Sequence, residues 1–366
     1  MTRVLLAGGG TAGHVNPLLA VANELVRQGR CNPAEIMVVG TRGGLESRLV
    51  PAAGFALATT QRLPMPRKLS LGALVFWPRF AIAVGKVVWL IMRHRAELVA
   101  GFGGYASAPS YVAAWLTRTP LVIHEANAVP GFANRLGSRL TRCVVTTFSQ
   151  TQLPHATVLG MPMARAITHP SSSPNASRAR SAFGLKPGKK TLLVTGGSQG
   201  AQSLNATLAA VVEDILALDW QILHIVGSKN PLPPSSPGYV ALSYCDRMDM
   251  AFAAASAVIS RAGAATVSEI QIVGIPAVFV PYPVGNGEQE KNAADSLAAG
   301  AAVMVLDRDF TPERCRAVVL PLLADDTALA RMRTNAIGLG RPQAAEAFVE
   351  TMMEALSSRR SKGLGA

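Results

Sequence analysis

At 366 residues the chain is longer than one compact domain usually is, so two domains are expected, and its 49% apolar residues can fill two cores. The formal net charge of +13 suits anionic partners, whether nucleic acid, anionic lipid or phosphorylated substrates, and does not choose among them. Four cysteines, Cys31, Cys143, Cys245 and Cys315, stand far apart with no C-x-x-C pair, which argues against a zinc site and against a disulfide framework.

The elements alternate between short apolar runs and helical spacing. "VLLA" (4–7) reads as a buried strand, followed by Gly8-x-Gly10-x-x-Gly13, His14 and a helix expected over Leu18–Val26. Too few apolar residues follow Arg3 for a signal-peptide core. Further strands are expected at 36–39, 97–102, 121–124 and 143–146, with a helical segment at Tyr111–Leu116. The apolar stretch Leu69–Met92 is interrupted by Pro78, Arg79 and Lys86, so no transmembrane helix is predicted there. From residue 161 the chain turns Pro-, Ser- and Arg-rich, which reads as a linker with a short helix near Ser177–Phe183. The opening theme then returns as "TLLVTGGSQGAQSLN", with strands to follow at 222–226, 257–260, 277–280 and 302–306. A helix at Ala344–Leu356 closes the chain. Alternating strands and helices in two similar halves predict two doubly wound parallel sheets, with the ligand expected in the cleft between them.

A glycine turn after a buried strand brings backbone N–H groups close to a phosphate, and the next helix adds its dipole. A dinucleotide site would also need a carboxylate at the end of the second strand, where Gly40 and Thr41 stand instead. His14, at the mouth of the loop, is a candidate general base or phosphate ligand. Glycine loops recur at 101–109 and 196–203, more than one dinucleotide requires. In the second half Gly263 precedes a helix beginning near Ala264, and Glu269 follows Ala265 by one turn on the same face, where it could accept both hydroxyls of a ribose. "DRD" (Asp307–Asp309) resembles a metal-holding pair but sits where Asp309 or Thr311 would cap the next helix. The six histidines show no metal-ligand spacing. These residues alone leave several classes open: a nucleotide-sugar transferase, a UDP-N-acetylglucosamine 2-epimerase, a dinucleotide-dependent oxidoreductase, or a nucleotide-binding module without catalysis.

The set "GGGTAGHVNP", "GFGGYASAP", "HEANAVPGFANR", "GGSQGAQSLN" and "SRAGAATVSEI…GIPAVFVPYP…EQEKNA" resembles the MurG family along nearly the whole chain. The resemblance implies a GT-B fold of two Rossmann-like domains. It implies metal-free, inverting transfer of N-acetylglucosamine from UDP-N-acetylglucosamine to lipid I, giving lipid II for peptidoglycan synthesis, with no cofactor. Residues 1–160 would form the acceptor- and membrane-side domain, 161–340 the UDP-sugar domain, and 341–366 a terminal helix and tail. The implied donor contacts are Thr11, Ala12, Gly13, Asn127, Ser198, the run Ala264, Ala265, Thr266, Val267, Ser268 and Glu269, and Gln289. Ser198 would meet the diphosphate, Glu269 the ribose, Gln289 and Asn127 the sugar, and Cys245 the uracil through its backbone. Ala12 replaces a family glycine. "GMPMAR" has Met161 for an asparagine and carries Arg165, a further implied contact, one residue late. On this reading the first loop is an acceptor-side phosphate cradle with His14 as the base.

A polyprenyl-linked acceptor lies in a bilayer, so the enzyme is expected to dock as a peripheral protein on the cytoplasmic face of an anionic membrane, with nucleic acid excluded as a partner. The docking segment would be 63–95, where Leu71, Leu74, Val75, Phe76, Trp77 and Phe80 stand beside Arg67, Lys68, Arg79 and Lys86.

Overall fold

The computed structural model describes residues 1–63, 71–169, 175–197, 200–234, 236–284 and 286–363. They form two compact units, Met1–Ala164 with Pro342–Ala366, and Arg165–Arg341.

In the first unit the strands are β1 (Val4–Ala7), β2 (Ile36–Thr41), β3 (Ala56–Thr60), β4 (Leu98–Gly101), β5 (Leu121–Glu125), β6 (Cys143–Thr146) and β7 (Ala156–Val158). They pair in parallel in the order β3-β2-β1-β4-β5-β6-β7. Apolar runs such as Val4–Ala7 form strands because both faces are covered and successive side chains alternate between them. Val4 and Leu6 pack with Leu18 and Leu25 of the helix Ala12–Arg27 and with Phe348 and Met352 of the helix Ala344–Gly363. Leu5 and Ala7 pack on the other face, with Val84, Val87 and Ile91 of the helix Leu71–His94 and Tyr111 of the helix Ser107–Leu116. The C-terminal helix therefore completes the first unit's core.

The first helix begins at Ala12, six residues before its expected start, and carries Pro17 inside it. The first N–H groups of any helix lack intrahelical partners, so a proline early in the helix removes little further bonding. The consequence is functional, because His14 falls in the first helical turn.

The second unit repeats the plan with β8 (Thr191–Thr195), β9 (Gln221–Ile225), β10 (Tyr239–Leu242), β11 (Ala257–Ser260), β12 (Ala277–Phe279) and β13 (Ala302–Met304). Their order, β10-β9-β8-β11-β12-β13, is parallel throughout. Leu192, Val194, Ile222 and Ile259 meet Val319 and Leu323 of the helix Pro312–Ala324 in its core. In each sheet the order reverses beside the unit's first strand, β1 or β8. The loops leaving the C-terminal ends of strands at that point are where open α/β sheets bind ligands. The short edge strands β3, β7 and β10 have no counterpart in the sequence reading, because their runs are short and only partly buried.

Candidate active site

In the first unit, Thr11 is the N-cap residue of its helix and Ala12, Gly13 and His14 make the first turn. No side chain caps this helix. The Thr11 hydroxyl instead lies 3.1 Å from His14 Nδ1, and Nδ1 also lies 3.2 Å from the Gly9 carbonyl oxygen. A carbonyl oxygen only accepts, so Nδ1 carries the ring proton and the lone pair sits on Nε2. Nε2 faces the second glycine loop, and a Cβ at Gly103 would stand 3.1 Å from it.

That second loop is built for close approach. Gly103 and Gly104 have φ of +87° and +86°, and a Cβ at Gly104 would fall 2.3 Å from the Gly9 carbonyl oxygen. Ser107 Oγ, which donates to the Ala7 and Gly103 carbonyls at 3.0 and 2.7 Å, ties the two loops together.

Two buried carboxylates stand behind these loops, and the sequence reading assigns a role to neither. Glu46 accepts from Gly10 N at 2.9 Å and from Thr41 N and Oγ1 at 2.7 Å each. Burial pushes its carboxyl up, but the donors from Gly10 and Thr41 outweigh burial and hold it below its ordinary value. Each bond to a charged group is worth about 1.5–3 kcal/mol, so three can offset a desolvation penalty of several kcal/mol. The second carboxylate, Glu125 at the end of β5, accepts from Asn127 N, Gly131 N and Asn134 Nδ2 at 2.9 Å each. Its deeper burial wins, and the carboxyl is pushed above its ordinary value against those donors. Asn134 in turn accepts from Tyr111 Oη at 2.7 Å and donates to the His124 carbonyl at 3.0 Å. Asn127 is thus fixed through its backbone, with its carbonyl accepting from Thr151 Oγ1 at 3.1 Å.

In the second unit, Gly263 is the N-cap of the helix Ala264–Val273, again with no side-chain cap, so its first amides point out unspent. Within the run 264–269 the roles divide. Val267 is fully buried in the core, and Ser268 Oγ bonds back to the Ala264 carbonyl at 2.9 Å. Glu269 is partly buried, and burial alone pushes its carboxyl up to about 7. Gln289, on the helix Glu288–Asn292, accepts at Oε1 from Ala262 N at 3.1 Å and Tyr282 N at 2.9 Å. It thereby joins the loops that follow β11 and β12.

Arg261, also given no role by the sequence reading, holds the same edge together. It donates to the Val280 and Pro281 carbonyls at 3.0 and 3.1 Å, to Ser203 Oγ at 3.0 Å and to Asp307. Asp307 is therefore one half of an ion pair, and Thr311 caps the following helix, accepting from Arg314 N at 3.2 Å. Among the described residues no cluster of three His, Cys, Asp or Glu side chains is arranged for a metal.

The other expected residues are more scattered. Cys245, buried just after β10, has its thiol pushed up by burial. Ser198 lies outside the described residues. Arg165 is exposed at the start of the helix Arg165–Thr168. Its neighbours Ala166 and Ile167 line a cavity of about 770 Å³ with Lys190, Trp220, Ser256 and Pro276. Those last four residues precede β8, β9, β11 and β12, so this cavity opens at the edge opposite the glycine loops.

Two sheets of one strand order, each with an uncapped helix start at its C-terminal edge, match the fold of the GT-B glycosyltransferases. Comparison with known proteins narrows it. Residues 4–146 match the glycosyltransferase family 28 N-terminal domain, and residues 191–348 its C-terminal domain. A protein of Clavibacter sepedonicus, named UDP-N-acetylglucosamine--N-acetylmuramyl-(pentapeptide) pyrophosphoryl-undecaprenol N-acetylglucosamine transferase, is 50% identical over 99% of both chains. A Streptomyces coelicolor protein of the same name is 43% identical over 97% of this chain and 99% of its own. The crystal structure of Acinetobacter baumannii MurG superposes with a TM-score of 0.79 at 27% identity, covering 97% of this chain and all of that one. The chain belongs to the MurG family of glycosyltransferases.

Proposed function

We propose that the chain transfers N-acetylglucosamine from UDP-N-acetylglucosamine to the 4-hydroxyl of the muramoyl sugar of lipid I, with inversion, giving lipid II. The observation that carries the reading in the donor half is the helix start at Ala264 beside Glu269. Unspent amides suit a diphosphate. A desolvated carboxylate one turn on gains most from two ribose hydroxyls that donate to it. As the glycosidic bond breaks, charge grows on UDP, and the fixed amides stabilise it without reorganising. Gln289, its carbonyl oxygen occupied, turns its amide nitrogen to the sugar. In the acceptor half, His14 Nε2 takes the proton of the attacking hydroxyl, an otherwise poor nucleophile. Incubation with UDP-N-acetylglucosamine and a lipid I analogue tests the reading. Glucosaminylated acceptor is expected, whereas epimerised sugar or binding without turnover contradicts it.

Docking on the cytoplasmic face of an anionic membrane belongs to the same proposal. The helix Leu71–His94 is long and apolar enough to cross a membrane by length and composition, but one face of it packs in the first unit's core. Its outward stripe alternates Val75, Arg79, Ile82, Lys86, Trp89 and Arg93, all exposed, at the spacing of one helix face. Alternating apolar and cationic side chains suit an interfacial helix on anionic lipid. Phe76, expected in this patch, is buried, and Phe80 is partly so. Leu71 and Leu74 have side chains outside the described set, and Arg67 and Lys68 lie outside the described residues. Each cation near such a surface is worth about 1 kcal/mol, so Arg79→Glu with Arg93→Glu should weaken binding to phosphatidylserine-containing vesicles at least about tenfold. Unchanged, salt-insensitive sedimentation removes this helix as the anchor.

A further inference from the structure

The Gly9–Gly10 peptide is held from both ends. Its N–H, on Gly10, donates to Glu46 Oε2 at 2.9 Å, and its C=O, on Gly9, lies 3.2 Å from His14 Nδ1. One peptide group thus lies between a buried carboxylate and the ring proton of the base. Hydrogen bonds in such a chain polarise one another: a carboxylate drawing on the N–H makes the carbonyl oxygen a stronger acceptor.

The surroundings are shaped for this arrangement. Glu46 is fully buried, and its other oxygen is occupied by Thr41 N and Oγ1. A Cβ would stand 2.2 Å from the Glu46 carboxylate at Gly9, 2.3 Å from it at Gly44, and 2.4 Å from Glu46 Cγ at Gly40. Gly10 itself has a φ of +91°, which only glycine adopts readily. Three glycines, one after β1, one within β2 and one after β2, therefore leave out side chains to admit one carboxylate against the back of the peptide. A glutamine of the same size cannot replace it. Its single carbonyl oxygen satisfies either Gly10 or Thr41, and its NH₂ then faces an N–H donor at the other.

We propose that Glu46 is a positioning residue for the base: acting through the Gly9–Gly10 peptide, it holds the proton of His14 on Nδ1 and so keeps the lone pair on Nε2. This rests on the reading of His14 as the base. Glu46 stays ionised throughout and takes no proton. The arrangement does the work of a carboxylate bonded directly to a catalytic histidine, with a peptide group inserted between the two.

The test joins a spectroscopic and a kinetic measurement on the full chain. In ¹⁵N-histidine spectra the parent is expected to show His14 with the proton on Nδ1. Glu46→Gln is expected to show a mixture of the two tautomers, and an unchanged Nδ1–H signal overturns the proposal. Kinetically, Glu46→Gln should lower kcat about ten- to a hundredfold, the usual scale for losing a partner that orients a reacting group, with UDP affinity unchanged. In a His14→Ala background the same change should cost less than about twofold, because effects that run through one group are not additive. An equal loss in both backgrounds marks a merely structural role and overturns the proposal. If His14→Ala alone keeps near-normal kcat, the base reading fails separately, and the spectrum still decides whether Glu46 sets the tautomer. Glu46→Asp, which keeps the charge but withdraws it from Gly10 by one methylene, carries the same expectations should the glutamine variant not fold.

Discussion

The glycine loop after β1 and the helix start after β11 come from the same supersecondary unit, a buried strand, a tight turn and a helix with no side-chain cap. They differ in what is done with the amides. In the first loop the Gly10 N–H is spent inward on Glu46, and the peptide's carbonyl orients a histidine. At the second, the amides of Ala264 to Thr266 meet no capping side chain, and the carboxylate nearby, Glu269, is short of donors. On the function proposed above, one copy of the unit mounts a proton acceptor. On the same proposal the other binds an anion at its helix N-terminus. A similar sequence pattern therefore does not imply a similar ligand.

The contrast can be broken from either side. The largest effect is expected at His14. His14→Ala should lower kcat roughly 10²–10⁴-fold, the range for a general base, while UDP affinity stays near that of the parent. A rise confined to the acceptor KM would make His14 a phosphate ligand instead. Glu269→Ala should weaken UDP itself by about ten- to a hundredfold, as expected for lost hydrogen bonds to a charged group, and calorimetry with UDP reads it directly. Parent-like affinity would remove Glu269 from the ribose.

Gln289 gives a finer distinction. Truncation would strip Ala262 N and Tyr282 N of their acceptor, so the informative change is Gln289→Glu, which keeps an acceptor there and exchanges the amide donor for a charged oxygen. UDP should bind as before and UDP-N-acetylglucosamine more weakly. Equal losses for both ligands would make Gln289 a purely structural bridge.

The smallest effect is on stability against pH. The Glu269 carboxyl lies at about 7 in the folded chain and near 4.5 when free of it. The folded state therefore holds the proton more tightly. The stabilisation is complete below about pH 4.5, declines as pH rises through 7, and is flat beyond. Melting curves of the parent and of Glu269→Gln should converge or diverge only within that window. A constant difference from pH 4.5 to 8 would contradict the buried, donor-poor setting of Glu269.

Much of this was legible before the structure. Runs such as "VLLA" and "AVIS", each followed by a glycine turn, read as strands buried on both faces, and they are. Of the two cap residues expected, Asp309 and Thr311, Thr311 is the one used, because the cap position follows from local spacing. Glu46 was not legible. Its meaning lies in glycines 9, 40 and 44, which approach one another only once β1 and β2 are paired. Arg261 was missed for the same reason, since its partners come from three separate segments, at Ser203, Val280–Pro281 and Asp307. Phe76 was misassigned to the surface because composition does not say which side of an apolar helix faces the core.

The difference between the two loops is most directly measured by amide hydrogen exchange with and without UDP. The account predicts that UDP slows exchange at Ala264, Ala265 and Thr266, whereas Gly10, already bonded to Glu46, exchanges slowly without ligand and does not change. Protection of Gly10 that appears only with UDP, with no change at residues 264–266, would contradict it.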